Sequence, residues 1–287
     1  MNMQRNILIA ALLVITYLMV LQWNTDFMQQ DLPPVAETNV APINNSDLPT
    51  DTAPLADGAN SDVPQPIDAN GEPTVSAGDL PAKQNDNLIQ VSTGTLNVTI
   101  NPIGGDIVSL SLPQYPARKD RPDLPFQLME QSSNRLYVAQ SGLTGRQGPD
   151  SAKGRARYTS EQSSYTLSEG QDSLVVDLKT SDAGVNFTKR YTFSRDTYLV
   201  EVDYLIDNQS TESWSGSAFG QLKRDSSGDP SSSTATGMAT FLGAAYWSAD
   251  SSYTKMKMGE LDDEKLNEKV NGGWIAWLQH YFVSAWI

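Results

Sequence analysis

The chain has 287 residues, 39% of them hydrophobic, which is enough for one large or two modest domains with an apolar core. Its formal net charge is −14, and eleven acidic residues but only one basic residue, Lys83, fall between residues 24 and 87. The remaining sequence contains no dense lysine or arginine cluster, which argues against nucleic-acid binding because phosphate recognition needs such a patch. Cysteine is absent, which excludes disulfides, thiol nucleophiles and cysteine-based metal sites.

Residues 7–23 form an uncharged apolar run near the N-terminus. At about 1.5 Å per residue the run spans roughly 25 Å, slightly less than a ~30 Å hydrocarbon core. The alternative is a cleaved signal peptide, but no small-x-small cleavage site follows the run. We therefore predict a transmembrane signal-anchor over residues 1–23. The residues expected to hold it in the bilayer are Arg5, Ile7, Leu8, Leu12, Leu13, Val14, Leu18, Leu21 and Trp23.

The charges that flank this run predict its orientation. Arg5 and the amino terminus precede it, whereas Asp26 and Asp31 follow it and the next basic residue is Lys83. Because basic residues are retained on the cytoplasmic side, we expect a cytoplasmic N-terminus and place the bulk of the chain in the periplasm.

Residues 24–87 have the composition of a linker. They are rich in proline, aspartate, asparagine, alanine and serine and show no apolar periodicity. Such a segment cannot bury enough apolar surface to offset the entropy of ordering it. The sequence predicts a disordered acidic tether, and a partner-binding role remains the alternative.

From Leu88 to Ile287 the apolar residues alternate with polar ones, which is typical of half-buried antiparallel strands. Turn residues separate the alternating runs, for example at residues 182–184, 194–196 and 207–208. The pattern predicts a mainly β fold, a large antiparallel β-sandwich. One weak helical stretch is expected over residues 259–271. The inward rows are Leu96, Val98 and Ile100; Leu174, Val176 and Leu178; Val185, Phe187, Lys189, Tyr191 and Phe193; and Tyr198, Val200, Val202, Tyr204 and Ile206.

The sequence offers few candidates for catalysis. His280 is the only histidine, and a lone histidine in an aromatic stretch is more typical of packing than of catalysis. Residues 262–264 form the densest carboxylate run but lack calcium-loop spacing, so we interpret them as a solvated face. Gly104-Gly105 and Gly272-Gly273 are predicted to be turns or bulges rather than phosphate loops. We predict no catalytic residue, metal or cofactor, although carboxylate pairs for sugar hydrolysis remain open.

The apolar segment Trp274–Ile287 is too short to span a bilayer. It is interpreted either as a buried strand pair or as an amphipathic element that touches a membrane or partner.

Several short stretches, in the same order, resemble YidC-type membrane protein insertases of Gram-negative bacteria. Met3-Gln4-Arg5-Asn6 before the apolar run is similar to the start of that family. Each later stretch is a weak signal alone, and the resemblance rests on their order behind the anchor. The stretches similar to the family's large periplasmic domain are Asn101–Ile107 with Leu112–Pro116, Gln140–Gly145, Ser217–Leu222, Gly243–Tyr246 and Gly272–Ile287.

The resemblance implies a β-super-sandwich of the kind shared with sugar mutarotases, located in the periplasm and in contact with accessory subunits of the Sec translocon. The family inserts and folds inner-membrane proteins, alone or beside the Sec channel, without enzymatic catalysis. The expected partners are nascent inner-membrane proteins, the Sec translocon and the lipid bilayer. The family's insertase helix bundle is expected to be absent from these 287 residues, and the sandwich, residues 88–287, is expected to lack its final portion. The alternative is a membrane-anchored periplasmic carbohydrate-binding or scaffold β-sandwich.

Overall fold

A computed structural model describes residues 87–145, 148–151, 154–230, 240–261 and 266–287. The predicted anchor over residues 1–23, with all nine residues assigned to it, and the linker up to residue 86 lie outside this part of the chain. Among the residues described, no helix is long and apolar enough to cross a membrane.

The described residues form a mainly β structure, as the alternation predicts. The single helical element among them is a 3₁₀ turn, Met258–Glu260, which overlaps the helix expected over residues 259–271 at residues 259–260. That helix is wrong for residues 261 and 266–271. The strands are β1 Ile89–Ser92, β2 Asn97–Asn101, β3 Asp106–Arg118, β4 Arg121–Gln131, β5 Leu136–Thr144, β6 Thr159–Ser160, β7 Ser164–Thr166, β8 Ser173–Asp182, β9 Val185–Ser194, β10 Val200–Asn208, β11 Ser217–Arg224, β12 Gly243–Trp247, β13 Thr254–Lys257, β14 Trp274–Leu278 and β15 Val283–Trp286.

The strands form three sheets, and the predicted sandwich is confirmed. The wide sheet has seven strands in the order β11-β5-β4-β3-β2-β1-β7. The narrow sheet has four strands in the order β10-β9-β8-β6, and the C-terminal sheet has four in the order β13-β12-β14-β15. Neighbouring strands are antiparallel except β1 and β7, which are parallel. The wide and narrow sheets pack face to face around the main apolar core.

The β8–β9 hairpin shows how local sequence produces this register. Asp182 pairs with Val185, which leaves Ala183 and Gly184 as a two-residue turn. Both turn residues have positive φ, +47° and +82°, as a hairpin turn of this length requires. Every second residue of β9 then points into the core, and four of these five inward positions are apolar: Val185, Phe187, Tyr191 and Phe193.

The C-terminal segment forms a strand pair, as the first interpretation of residues 274–287 expects, but the pair is not buried: Ile275 and Val283 are at least half exposed. β14 and β15 pair from Ile275 with Trp286 to Leu278 with Val283. Trp277 Nε1 donates to the backbone oxygen of Leu222 at 3.2 Å, which joins this hairpin to β11. Gly220 makes room for Trp286, because a Cβ on Gly220 would lie 2.9 Å from the indole ring.

Two neighbouring valines on opposite faces of β8 are predicted to contribute differently to stability. Val176 is fully buried between the sheets, whereas Val175 is 44% exposed. Val176→Ala should lower the free energy of unfolding by about 2 kcal/mol, from lost apolar burial and the cavity left behind. Val175→Ala is the matched control and should change it by less than about 0.5 kcal/mol. Urea denaturation of both variants measures this, and equal losses would contradict the assigned register.

Candidate functional site

An apolar groove lies beside the narrow sheet. Its floor comes from inner-face residues of β3, β4, β5 and β11, one wall is β10, and β15 with Ile287 forms the other. The groove has a volume of about 1430 Å³, above the roughly 300–1,000 Å³ typical of small-molecule sites. A space of this size and apolar character suits a polypeptide segment better than a small polar ligand. The floor residues are Leu110, Leu112, Phe126, Leu128, Met129, Ala139 and Leu222.

Aromatic side chains line the mouth of the groove. Phe282 stacks on Phe126 with ring centroids 4.2 Å apart, and its edge meets the Tyr115 ring at 5.6 Å. Tyr115 in turn lies 6.1 Å from Tyr198, which precedes β10. Tyr281 is 71% exposed at this mouth. Exposed apolar surface on this scale indicates an interaction site.

A second feature is a cluster of four charged side chains buried between the two sheets. Arg155 forms ion pairs with Asp106 at 2.5 Å and with Asp150 at 3.2 Å. Lys189 Nζ lies 3.9 Å from Asp106 and is wholly buried. Two positive and two negative charges balance, which is the condition for keeping ions away from water.

This charged cluster fixes a glycine turn against the wide sheet. Lys189 Nζ donates to the backbone oxygens of Gly104 (3.1 Å) and Ser141 (2.9 Å), and Arg155 Nη2 donates to the same two oxygens. Gly104 and Gly105 have φ of +77° and +62°, which confirms the predicted turn. A Cβ on Gly105 would lie 3.0 Å from Leu178 Cδ1, so the turn leaves little space for a side chain there.

Two tyrosines of the narrow sheet complete the link between the sheets. Tyr191 donates its hydroxyl to the backbone oxygen of Gly105 at 2.6 Å, and Tyr204 donates to Ser141 Oγ at 2.9 Å. Burial raises the pKa of both tyrosines, so both hydroxyls keep their protons and act as donors near neutral pH.

Burial also dominates the titration of the charged groups. It lowers the pKa of Lys189 to about 8, against the opposing effect of Asp106. It raises the pKa of Asp106, although Lys189 and Arg155 act in the other direction. For Arg155, burial would lower the pKa, but Asp106 and Asp150 outweigh it and the pKa is raised. Arg155 is therefore the permanent cation of the cluster, and Lys189 is the member whose charge responds to mild alkali.

The structure shows where the residues that the sequence singled out lie. The His280 ring stacks on Tyr281 with centroids 3.9 Å apart, but His280 is exposed rather than packed in the core. No group of three or more metal-ligating side chains occurs among the residues described. Residues 262–264 lie outside them. The sequence did not predict the groove or the roles of Asp150 and Arg155. One signal for the charged cluster was available, because Lys189 lies in an inward row of otherwise apolar residues.

Lys189 makes the stability depend on pH in a defined direction. Its pKa is about 8 in the folded chain and 10.5 as the ordinary value, so between these limits the unfolded chain binds more protons. The free energy of unfolding should therefore rise from pH 8 to 10, by on the order of 1–3 kcal/mol. Above pH 10 the tyrosines oppose the rise, because burial keeps them protonated when the unfolded chain ionises.

Lys189→Met should remove this rise, measured by urea denaturation at several pH values. Lys179→Met, at an exposed lysine of β8, is the matched control and should retain it. An identical pH dependence in wild type and Lys189→Met would show that the folded chain does not hold Lys189 as described.

The chain matches one protein family and many curated proteins. The family described as the YidC periplasmic domain matches residues 88–287. Over its whole length the chain is 52% identical to the membrane protein insertase YidC of Pseudomonas entomophila, 55% to that of Stutzerimonas stutzeri and 53% to that of Azotobacter vinelandii. The match covers all of this chain but only about half the length of each relative. The chain belongs to the YidC periplasmic domain family.

Proposed function

We propose that the chain is the anchor and periplasmic portion of a membrane protein insertase, which inserts and folds inner-membrane proteins without enzymatic catalysis. The observation that carries this proposal is the identity of 52–55% along the entire chain to proteins named membrane protein insertases. Because the chain spans about half the length of those relatives, insertion activity is assigned to the whole polypeptide rather than to these residues alone.

Within this proposal the chain divides into three parts. Residues 1–23 are the transmembrane anchor, residues 24–87 the acidic tether, and residues 88–287 a periplasmic sandwich. The length and apolarity of residues 7–23 support the anchor.

The proposed partners are nascent inner-membrane proteins, the lipid bilayer and the Sec translocon with its accessory subunits. The aliphatic and aromatic floor of the groove supports an apolar polypeptide segment as a partner. Charged side chains also lie in the groove lining, among them Arg118, Lys119, Glu201 and Asp203.

The proposed topology places the N-terminus in the cytoplasm and the sandwich in the periplasm. Arg5 precedes the anchor and Asp26 and Asp31 follow it, which supports this orientation. Alkaline phosphatase fused after Asp31 should be active, and a fluorescent protein that matures only in the cytoplasm should stay dark at the same site. The reverse pair of results would contradict the orientation.

Insertion itself is tested in cells depleted of their own insertase. The full-length protein should restore insertion of inner-membrane clients, measured by protease protection, whereas residues 1–287 alone should not. Export of a secreted protein serves as the control for general envelope damage. In the same membranes, cross-linkers placed on the sandwich should capture Sec accessory subunits. Insertion that is not restored by the full-length protein, or that is restored by residues 1–287, would contradict the assignment.

A further inference from the structure

The C-terminal sheet carries large aromatic side chains on both of its faces. The strand register places Trp247 opposite Trp274, and the Tyr253 ring lies 6.0 Å from the Trp274 ring. Trp247 is 42% exposed and Tyr253 is 54% exposed. Trp277 and Trp286 belong to the opposite face, where they contact β11 and pack against the core. The sheet therefore packs against the core on one side and presents aromatic rings to solvent on the other.

Two lysines share the solvent side with these rings. Lys255 pairs with Ala245 and Lys257 pairs with Gly243, so both lysines lie on the side of the sheet that carries Trp247. They are the only charged residues in the sequences of β12, β13, β14 and β15. The strands thus combine aromatic rings with positive charge and contribute no carboxylate. We call this surface the aromatic face; it consists of Trp247, Tyr253, Trp274, Lys255 and Lys257.

Both ammonium groups are accessible to a partner. Lys255 is exposed, and its Nζ lies 4.8 Å from the centroid of the Phe241 ring. Lys257 Nζ lies 3.7 Å from Glu260 Oε1, and both of these side chains are more than half exposed. An ion pair this exposed contributes little, so a stronger anionic partner can replace it.

We propose that the aromatic face rests on the surface of a lipid bilayer, with its lysines against anionic phospholipid headgroups. Tryptophan and tyrosine concentrate at the membrane interface, because each has an apolar ring and one polar group. Basic side chains beside them add attraction to anionic lipids. This inference rests on the proposed function in one respect: the anchor over residues 1–23 must bring the sandwich to a membrane.

The charge distribution of the chain favours this face as the point of contact. The chain has a net charge of −14, and β10 carries an acidic row of Glu201, Asp203 and Asp207. Anionic headgroups repel such a row and attract Lys255 and Lys257. On the aromatic face, this attraction coincides with exposed apolar rings that lose contact with water on docking.

A glycan fits the aromatic face less well than a lipid surface. A site for a polar ligand needs several convergent polar side chains around its apolar contacts. The four strands contain no aspartate, glutamate, asparagine or glutamine, and the planes of Tyr253 and Trp274 are inclined by 44°. The face therefore lacks both the acceptors and a flat stacking surface for a sugar.

Tryptophan quenching by lipid tests the proposal. The 287-residue chain is reconstituted into vesicles of phosphatidylcholine and phosphatidylglycerol whose acyl chains are brominated near the headgroup. The emission that Trp247→Phe removes should be emission that the brominated lipid quenches. Trp214→Phe is the matched control and should leave the quenched emission unchanged, because Trp214 packs against Phe187 in a separate cluster.

The lysines are tested at the salt concentration that halves the quenching of Trp247 in the wild type. Lys255→Gln with Lys257→Gln should shift the equilibrium toward the undocked sandwich by about five-fold for each lysine, the effect expected of a basic side chain at an anionic surface. Lys179→Gln, at an exposed lysine of β8, is the matched control and should cause no shift. Urea denaturation shows that each variant is folded.

Three results would overturn the proposal. The first is Trp247 emission that brominated lipid does not quench, in vesicles where Trp23 of the anchor is quenched. The second is Trp247 emission that responds to soluble peptidoglycan fragments and not to lipid, which would indicate a glycan site. The third is a lysine variant that behaves as Lys179→Gln does. Trp23→Phe separates the two proposals, since lipid quenching that this change leaves intact would contradict the anchor itself.

Discussion

A sheet buries its apolar face only against something equally wide, and the wide sheet of this chain faces a narrower one. β8 and β9 cover its centre, where the core is tightly packed. Beyond β10 the inner faces of β4, β5 and β11 have no covering strand among the residues described, and the groove is the result. The groove and its aromatic mouth thus share one cause, which is the difference in width between the two facing sheets of the described residues.

The sheets are aligned by polar contacts as well as by apolar packing. Lys189, Tyr191 and Tyr204 of the narrow sheet all reach acceptors on the wide sheet or on the turn before it. Hydrogen bonds in a dry interior have strict geometry, so these contacts specify one relative position of the two sheets. Burial lowers the pKa of Lys189 and raises that of Asp106, so it favours the neutral form of each group. The charged cluster therefore carries a desolvation cost.

Much of the fold was predictable because strand alternation is local. The predicted inward row of β9 is confirmed in full, including Lys189, whose place among apolar residues signalled a buried charge without revealing its partners. Those partners are distant in sequence: 85 residues separate Lys189 from Gly104 and 48 separate it from Ser141. A local sequence pattern therefore cannot predict these contacts. The alternation of β10 is also confirmed, but Ile206 is 37% exposed, because burial depends on a facing layer and not on the strand itself. The helix expected over residues 259–271 was wrong for residues 261 and 266–271.

The stretches that carried the family resemblance acquire a physical meaning in the structure. Asn101–Ile107 contains the glycine turn and Asp106, and Gln140–Gly145 contains Ser141, so both converge on the buried charged cluster. The end of the stretch Gly272–Ile287, from Tyr281 onward, forms a wall of the groove. One group of stretches thus aligns the two sheets, and the other borders the surface left uncovered.

Lys189, Tyr191 and Tyr204 set the position of the narrow sheet on the wide sheet. An experimental structure of the protein tests this most directly, through the distances from Lys189 Nζ to the backbone oxygens of Gly104 and Ser141. Both oxygens are expected within hydrogen-bonding distance of Nζ, with the Lys189 side chain excluded from solvent. A Lys189 side chain that reaches solvent, with neither oxygen within that distance, would contradict this alignment.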